Sequence, residues 1–376
     1  MPSCSDAGYV FDRQAQTLTL HGATYTGAEA VRFCTEQASL LPGGQNSAMG
    51  LLGRFLGEWF DASPTVPGQT SGSTGEPKRL ALDKARMMNS ARLTCSFLGL
   101  RPGDTALLCM PLKYIGAKMV VVRALVAGLD LIAAEPSSHP LAGMKEAPCF
   151  AAMTPMQVIS SLESPEEARL LRSIRHLIIG GGAISAPLAA ELAGFPHGVW
   201  STYGMTETLS HIALRRLSGP TASAWYEPFE GVGLSLADGG TLVIEAPAVC
   251  PETLVTNDIA ELAADGRFRI IGRRDNTINS GGIKLQIEVI EELIAPFLDC
   301  PFQVTATPDA KLGEAVTLLT EAPLPDGMQA KLHDALPLYH APRIYLTVGK
   351  LPQTGSGKPD RAAARTLAAA AAQERM

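Results

Sequence analysis

Three short segments of the chain combine hydroxyls, glycines and single charges in ways suited to phosphate chemistry. The first is Thr70-Ser71-Gly72-Ser73-Thr74-Gly75-Glu76-Pro77-Lys78. Gly72 and Gly75 let backbone N–H groups approach phosphate oxygens closely, the hydroxyls donate further hydrogen bonds, and Lys78 supplies charge. It is not a Walker A loop, because G-x-x-x-x-G-K-[ST] does not fit it. A solvated linker is the alternative, and Pro77, Lys78 and the helix that follows argue against it. The second segment is Gly355-Ser356-Gly357-Lys358, a truncated Walker A in which Pro352 replaces the first glycine and Pro359 the metal-binding hydroxyl. By pattern alone it is a flexible loop presenting one lysine. The third is Ser201 to Thr208. Here Glu207 and its neighbouring hydroxyls offer oxygen ligands to Mg2+, and Tyr203 offers a ring to a base.

Regular elements must hold these segments in place. Lys84 to Leu98 has helical spacing, with Met87, Ala91, Leu93 and Phe97 near one face, and Ala106 to Met110 reads as a buried strand. His176 to Ile179 reads as a strand running into Gly180, Gly181 and Gly182, with Ser185 as N-cap and Pro187 in the first turn of a helix. Strand, glycine turn and helix in succession are the pattern of a parallel α/β sheet. Beyond residue 225 come strands at Thr241 to Glu245 and Phe268 to Ile271, a polar interruption from Gly272 to Gly282, a helix from Leu285 to Phe297, two or three strands and an Ala-rich helix near 362–371. The expected fold is a large N-terminal α/β domain over 1–274 and a small α+β domain over 275–376.

Composition agrees with that plan. The chain has 376 residues, 46% of them hydrophobic, which is enough apolar material for two cores. A formal net charge of -6 argues against a general nucleic-acid binder. The seven cysteines form no C-x-x-C pair and the seven histidines no zinc-ligand spacing, so reduced, structural thiols are expected. The first twelve residues are polar and no apolar stretch reaches spanning length, so the expectation is a soluble cytoplasmic protein without membrane insertion.

Taken together, the segments resemble the adenylate-forming (ANL) acyl-CoA synthetase superfamily, in order and through nearly the whole chain. Thr70 to Lys78 matches its phosphate loop, Gly181-Gly182-Ala183-Ile184 its adenine-side segment, and Tyr203 to Glu207 its Y-G-x-T-E motif. Asp258 matches the ribose aspartate, Gly272-Arg273-Arg274-Asp275 the G-R-x-D hinge motif, and Pro352 to Arg361 the P-x-x-x-x-G-K-x-x-R motif with Lys358 as catalytic lysine. The resemblance implies that a carboxylate attacks the α-phosphate of ATP, releasing pyrophosphate, and that a thiol then displaces AMP. It assigns Thr70, Ser71, Gly72, Ser73, Thr74, Gly75 and Lys78 to the phosphates, and Gly181, Gly182, Ala183, Tyr203, Gly204 and Thr206 to the nucleotide. Asp258 and Arg273 fall to the ribose, Thr74 and Glu207 to Mg2+, and Asp275 to a hinge about which the small domain turns between steps. Lys358 would stabilise charge between carboxylate and α-phosphate. Two departures stand out. Thr256-Asn257-Asp258 replaces the usual Ser/Thr-Gly-Asp, and Pro111-Leu112-Lys113-Tyr114 carries tyrosine where relatives often have histidine.

Within the superfamily the short chain, Pro111 to Lys118 and Glu207 to Arg215 resemble the compact o-succinylbenzoate–CoA ligases of menaquinone synthesis. That substrate has two carboxylates, one to activate and one to recognise. Lys113, Lys118, His211 and Arg215 are basic candidates for the second, and Tyr114 for the acyl pocket; a solvated surface cation is the alternative for each base. The co-substrates so implied are ATP with Mg2+, a small carboxylic acid and coenzyme A. Another aryl- or acyl-CoA ligase, or a stand-alone enzyme loading a carrier-protein thiol, would share every nucleotide motif, whereas a non-catalytic module would not need Lys358. Oligomeric state leaves no mark in the sequence.

Overall fold

Phe150–Met153 is buried at every residue, as expected of a strand covered on both faces, and it lies within the main sheet of the computed structural model. The structure describes residues 8–69, 79–354 and 359–373. The chain divides into two compact units, Met1–Gly233 with Glu245–Thr253 and Leu234–Ile244 with Leu254–Met376.

The first unit contains β1 (Thr17–Leu20), β2 (Ala23–Thr26), α1 (Gly27–Leu40), α2 (Ala48–Phe60), β3 (Thr65–Gln69), β4 (Arg79–Asp83), α3 (Lys84–Leu98), β5 (Thr105–Leu108), α4 (Ile115–Ala127) and β6 (Asp130–Ala133). It continues with β7 (Phe150–Met153), α5 (Pro155–Glu163), α6 (Pro165–Ser173), β8 (His176–Ile179), α7 (Ala186–Ala193), β9 (Gly198–Gly204), β10 (His211–Arg216) and β11 (Glu227–Pro228). Among the described residues nine strands form one sheet in the order β11-β10-β9-β8-β7-β5-β6-β1-β2. Pairing is parallel from β1 through β6, β5, β7 and β8 to β9, and antiparallel at both edges. The expected parallel α/β architecture is thus present.

Local signals explain where these elements start and stop. Asp83 accepts a hydrogen bond from Arg86 N to open α3, and Gly99 in the left-handed region closes it, so α3 has the expected bounds. Ser185 accepts from Leu188 N to cap α7, with proline in the first turn. Leu107, Ala151, Val158, Leu171, Leu177, Leu192 and Val199 pack strands β5, β7, β8 and β9 against α5, α6 and α7. Full burial of each larger aliphatic among them contributes roughly 2 kcal/mol. Helix α4 is buried at every residue from Ala117 to Ala127, as befits a helix that is apolar all round. Its two cations, Lys118 and Arg123, therefore need partners inside the protein.

Downstream, β12 (Gly233–Leu236), β13 (Thr241–Ala246), β14 (Cys250–Leu262) and β15 (Phe268–Arg273) form a second sheet in chain order. Most of it falls in the second unit, upstream of the expected boundary at Asp275. The third sheet begins just beyond Asp275, with β16 (Thr277–Ser280) and β17 (Ile283–Gln286). It is completed by β18 (Phe302–Asp309), β19 (Gly313–Thr320) and β20 (Ile344–Thr347), with α8 (Ile287–Ile294), α9 (Met328–Ala335) and α10 (Arg361–Gln373). Two local expectations change here. The polar stretch Gly272 to Gly282 is not irregular but contains β16, whose Ile278 and Ser280 are buried while Asn279 is exposed. The helix expected from Leu285 starts only at Ile287, because Leu285 points into the core from β17. Ala364 and Ala368, one turn apart on α10, pack on Leu319, Leu346 and Leu351. No helix among the described residues is long and apolar enough to cross a membrane.

Candidate active site

Ligands of parallel sheets gather at the carboxyl ends of the strands. Because β5, β7, β8 and β9 are successive neighbours, the segments after β5, after β8 and at the end of β9 share that edge of the sheet. They are Pro111 to Tyr114, Gly180 to Ala183 and Tyr203 to Glu207. Gly181, Gly182 and Ala183 are exposed, and Gly181 has φ +80, a conformation that favours glycine. The ring of Tyr203 lies 5.7 Å from that of Tyr226 at an interplanar angle of 56°. The Tyr226 hydroxyl is 3.0 Å from Ser201 Oγ, and the Arg215 guanidinium lies 5.2 Å over the Tyr226 ring. Tyr203 is therefore held from behind by a residue that no motif marks.

The turn from β9 to β10 carries Thr206 and Glu207. At Gly204 a Cβ would come within 2.3 Å of Ser210 O and 2.4 Å of His211 Cα, so only glycine lets the strands approach this closely. The buried Thr208 hydroxyl accepts from Met205 N at 3.0 Å and donates to Ser210 O at 2.7 Å. It is consumed in shaping the turn, which leaves Glu207 exposed and Thr206 half-buried. An exposed carboxylate is an oxygen donor of the kind that hard divalent cations take.

The basic candidates separate by environment. Lys113 is exposed, its Nζ 4.9 Å over the ring of the half-exposed Tyr114, which stands at the N-cap of α4. Lys118 is buried and donates to Pro67 O at 2.9 Å, with Glu58 at 4.0 Å and the Phe55 ring at 5.0 Å. Burial draws its pKa below the ordinary lysine value, with Glu58 opposing. Its ammonium thus ties α4 to the β3–β4 hairpin. His211 is buried too; burial and the nearby Arg123 charge hold its pKa well below 6.5, and it is neutral. It is thereby unsuited to act as a cation for a carboxylate.

The hydrogen bonds around His211 form a directed chain that begins at a residue the sequence reading overlooked. Arg123, 1% exposed, donates from Nη2 to Ser210 Oγ at 3.1 Å. The Ser210 hydroxyl can then donate to His211 Nδ1 at 3.2 Å, Nε2–H to Thr94 Oγ1 at 3.0 Å, and Thr94 to Ser90 O at 3.2 Å. The order of donors assigns the proton to Nε2. Among the described residues no carboxylate pairs with Arg123, and its buried Nε meets no acceptor. Burial lowers its pKa to about 10. A buried cation without a counterion is costly unless an anion is supplied from outside. Its sequence signal was a lone arginine in the apolar run from Met119 to Val126.

In the second unit, β14 and β15 pair with Asp258 opposite Arg273. Arg273 forks between two carboxylates, Nη1 donating to Asp258 Oδ1 at 3.1 Å and Nη2 to Asp275 Oδ2 at 3.2 Å. Asn257 Nδ2 also donates to Asp275 Oδ2, at 3.3 Å. Three site residues expected from sequence, and the asparagine that departs from the usual motif, are thus one cluster. Asp258 is 14% exposed against 55% for Asp275, so the former is the fixed end of the fork. Arg274 turns away and donates to Asp238 O and Thr241 Oγ1.

Thr70, Ser71, Gly72, Ser73, Thr74, Gly75 and Lys78 lie outside the described residues, as does Lys358. Their flanks are described. β3 and β4 pair in register up to Gln69 opposite Arg79, and Gln353 bridges Pro359 antiparallel.

Residues 69–247 match the AMP-binding enzyme family. An acyl-CoA synthetase (AMP-forming)/AMP-acid ligase II-like protein from Dyadobacter fermentans is 31% identical, over 88% of this chain and 97% of that one, with a TM-score of 0.60. A probable 2-succinylbenzoate–CoA ligase of Mycobacterium tuberculosis is 27% identical, over 83% of this chain and 87% of the relative. The fold is also that of the o-succinylbenzoate CoA synthetase of Bacillus subtilis in complex with its acyl-adenylate, at a TM-score of 0.65 and 22% identity over 79% of this chain and 68% of that one.

Proposed function

The chain belongs to the AMP-binding enzyme family of AMP-forming acyl-CoA synthetases, and on that premise we propose that it is an o-succinylbenzoate–CoA ligase acting in the cytoplasm. In the first step a carboxylate oxygen of the acid attacks the α-phosphorus of ATP, and the bond to the β-phosphate oxygen breaks to release pyrophosphate. In the second the sulfur of coenzyme A attacks the adenylate carbonyl, the thiol proton is lost, and AMP leaves with the electrons of the broken C–O bond.

Displacement at phosphorus calls for positioning and charge neutralisation more than for covalent help. Thr70 to Lys78 would hold the β- and γ-phosphates. Gly181 to Ala183 and the Tyr203 ring would enclose the adenine, and Asp258, with Arg273 fixed beside it, would accept from the ribose hydroxyls. Thr74 and the exposed Glu207 would hold Mg2+, which when bound offsets phosphate charge. Lys358 would set its ammonium between carboxylate and α-phosphate, where two negative groups must meet. Asp275 is the proposed hinge.

The observation that carries the choice of acid is Arg123, a buried guanidinium with no carboxylate partner among the described residues, hydrogen-bonded to Ser210 beside the turn that bears Glu207. A dicarboxylic acid brings the missing anion, and the names of the relatives point to the same acid. Lys113 and Tyr114, on the exposed entry to α4, would meet the acid on its way in. The test is acid-dependent pyrophosphate release with ATP and Mg2+ over a panel of mono- and dicarboxylic acids, with and without coenzyme A, beside Lys358→Ala. Coenzyme A-dependent turnover selective for o-succinylbenzoate, lost in the variant, is the expected result. Selectivity for a monocarboxylic acid would refute the substrate, and release that survives Lys358→Ala would refute the role of the lysine.

A further inference from the structure

Glu207 sits inside a turn that is closed from both sides. Strands β9 and β10 pair up to its base, with His211 opposite Gly204. Above that pair, Met205 N donates to Thr208 Oγ1 at 3.0 Å and Leu209 N donates to Thr206 O at 2.9 Å. Each bond reaches three residues along the chain, and Glu207 lies within both spans. Thr208 is fully buried, and its hydroxyl also donates to Ser210 O at 2.7 Å. One group thus joins the entry of the turn at Met205 to its exit at Ser210, while the carboxylate of Glu207 beside it stays exposed. The residue that follows, Leu209, is buried with φ +63. A bulky side chain takes that conformation rarely, and it persists where the surroundings over-determine it.

A chain reversal can be built without strain from glycine or asparagine. Here strain is kept two residues after a carboxylate, and strained backbone gathers where a side chain must be held in one direction. The two bonds that bracket Glu207 set the path of its backbone, and so the direction in which its side chain leaves. That direction matters for a ligand of Mg2+, which demands near-octahedral geometry with oxygens at about 2.0–2.1 Å. Groups that orient a metal ligand are worth about 10- to 100-fold in metal affinity or activity.

We propose that Thr208 is a positioning residue for Glu207: its buried hydroxyl, spent on Met205 and Ser210, acts through the backbone to present the carboxylate to the divalent cation of the nucleotide. This rests on the assignment of Glu207 to that cation under Proposed function. The experiment uses the full chain and measures three things. One is the affinity for Mn2+, an oxygen-seeking stand-in for Mg2+, read by electron paramagnetic resonance with an ATP analogue that carries a methylene between the α- and β-phosphorus. The others are the Mg2+ concentration at half-maximal acid-dependent pyrophosphate release, and the thermal midpoint. The variants are Thr208→Val, which keeps the shape and loses the hydroxyl, Thr208→Cys, Thr208→Ser and Glu207→Gln. Thr208→Val weakens Mn2+ binding and raises the half-maximal Mg2+ concentration by on the order of tenfold. Thr208→Cys moves both in the same direction, since a thiol is a weak donor and acceptor, and it serves where the valine variant does not fold. Thr208→Ser stays within about twofold of wild type, because it keeps both hydrogen-bonding roles. Wild-type Mn2+ affinity and Mg2+ dependence in the valine or cysteine variant, even with a lowered thermal midpoint, mark a merely structural hydroxyl and overturn the proposal. So does a serine variant as impaired as the valine one. Wild-type Mn2+ affinity in Glu207→Gln removes the assignment beneath it, and that outcome is distinct from the other two.

Discussion

Replacing Arg123 by methionine should separate activity from stability. The guanidinium is 1% exposed, and burial lowers its pKa to about 10. Against the ordinary arginine value of about 12.5, at about 1.36 kcal/mol per pH unit, this is roughly 3 kcal/mol of strain on the charged form. Methionine fills much of the same volume with no charge to desolvate, and it gives up one hydrogen bond to Ser210. Replacing buried charge with apolar groups of similar volume is often neutral or stabilising by about 1–4 kcal/mol. The urea midpoint of Arg123→Met should therefore hold or rise. Activity should move the opposite way, because the second carboxylate of the acid would lose its buried counterion. Truncating one partner of such a pair costs about 2–5 kcal/mol, which is about 30-fold to several thousand-fold in kcat/KM. The control is an analogue of o-succinylbenzoate that lacks the carboxylate that is not activated, for which wild type and variant should differ little. The assay pairs urea unfolding with initial rates of pyrophosphate release on both acids. A variant that unfolds several kcal/mol more easily, or that keeps wild-type kcat/KM on the dicarboxylate, would show that Arg123 is a structural cation and refute the reasoning.

Other consequences can be checked separately. Gly204→Ala should lower the thermal midpoint and deplete soluble protein, since its Cβ would fall 2.3 Å from a backbone oxygen that cannot move aside; a wild-type midpoint would contradict the close approach of β9 and β10. Tyr226→Ala should raise KM for ATP about two- to tenfold with little change in kcat, the value of about 0.5–1.5 kcal/mol for an aromatic contact. Tyr226→Phe should stay near wild type, and an effect confined to KM for the acid would place Tyr226 elsewhere. Burial lowers His176 to about 4 and holds His211 well below 6.5. Below about pH 6.5 the unfolded chain binds protons that the folded chain refuses, so stability is full above that pH and falls as pH drops toward the folded values. His211→Gln should flatten the acid limb of stability plotted against pH; an unaltered limb in both His211→Gln and His176→Asn would contradict the assignment.

What was legible in the sequence was local. Strand β8 and helices α3 and α7 follow from apolar runs, an Asp or Ser cap, and glycine punctuation, all within a few residues of one another. The motifs proposed to hold the nucleotide are equally local, since a phosphate site calls for backbone N–H groups, hydroxyls and single charges at short spacing. Expectation failed where a short segment is governed by a distant partner. Gly272 to Gly282 reads as a polar interruption, yet Thr277–Ser280 pairs with β17 and β19 across the small sheet. Leu285 has helical spacing with the residues after it and is claimed instead by that sheet.

The sequence by itself determined the family, the parallel α/β architecture and the order of the nucleotide motifs, because these depend on residue types at short spacing. Only the tertiary structure decided what each charged side chain is free to do. Lys118, His211 and Arg123 are all basic residue types, but burial leaves the first bonded to Pro67 O, the second neutral between Ser210 and Thr94, and the third charged with no carboxylate partner among the described residues. Whether a charge is spent inside the protein or left for a ligand depends on desolvation and on partners up to 117 residues away in the chain, and no local spacing encodes either.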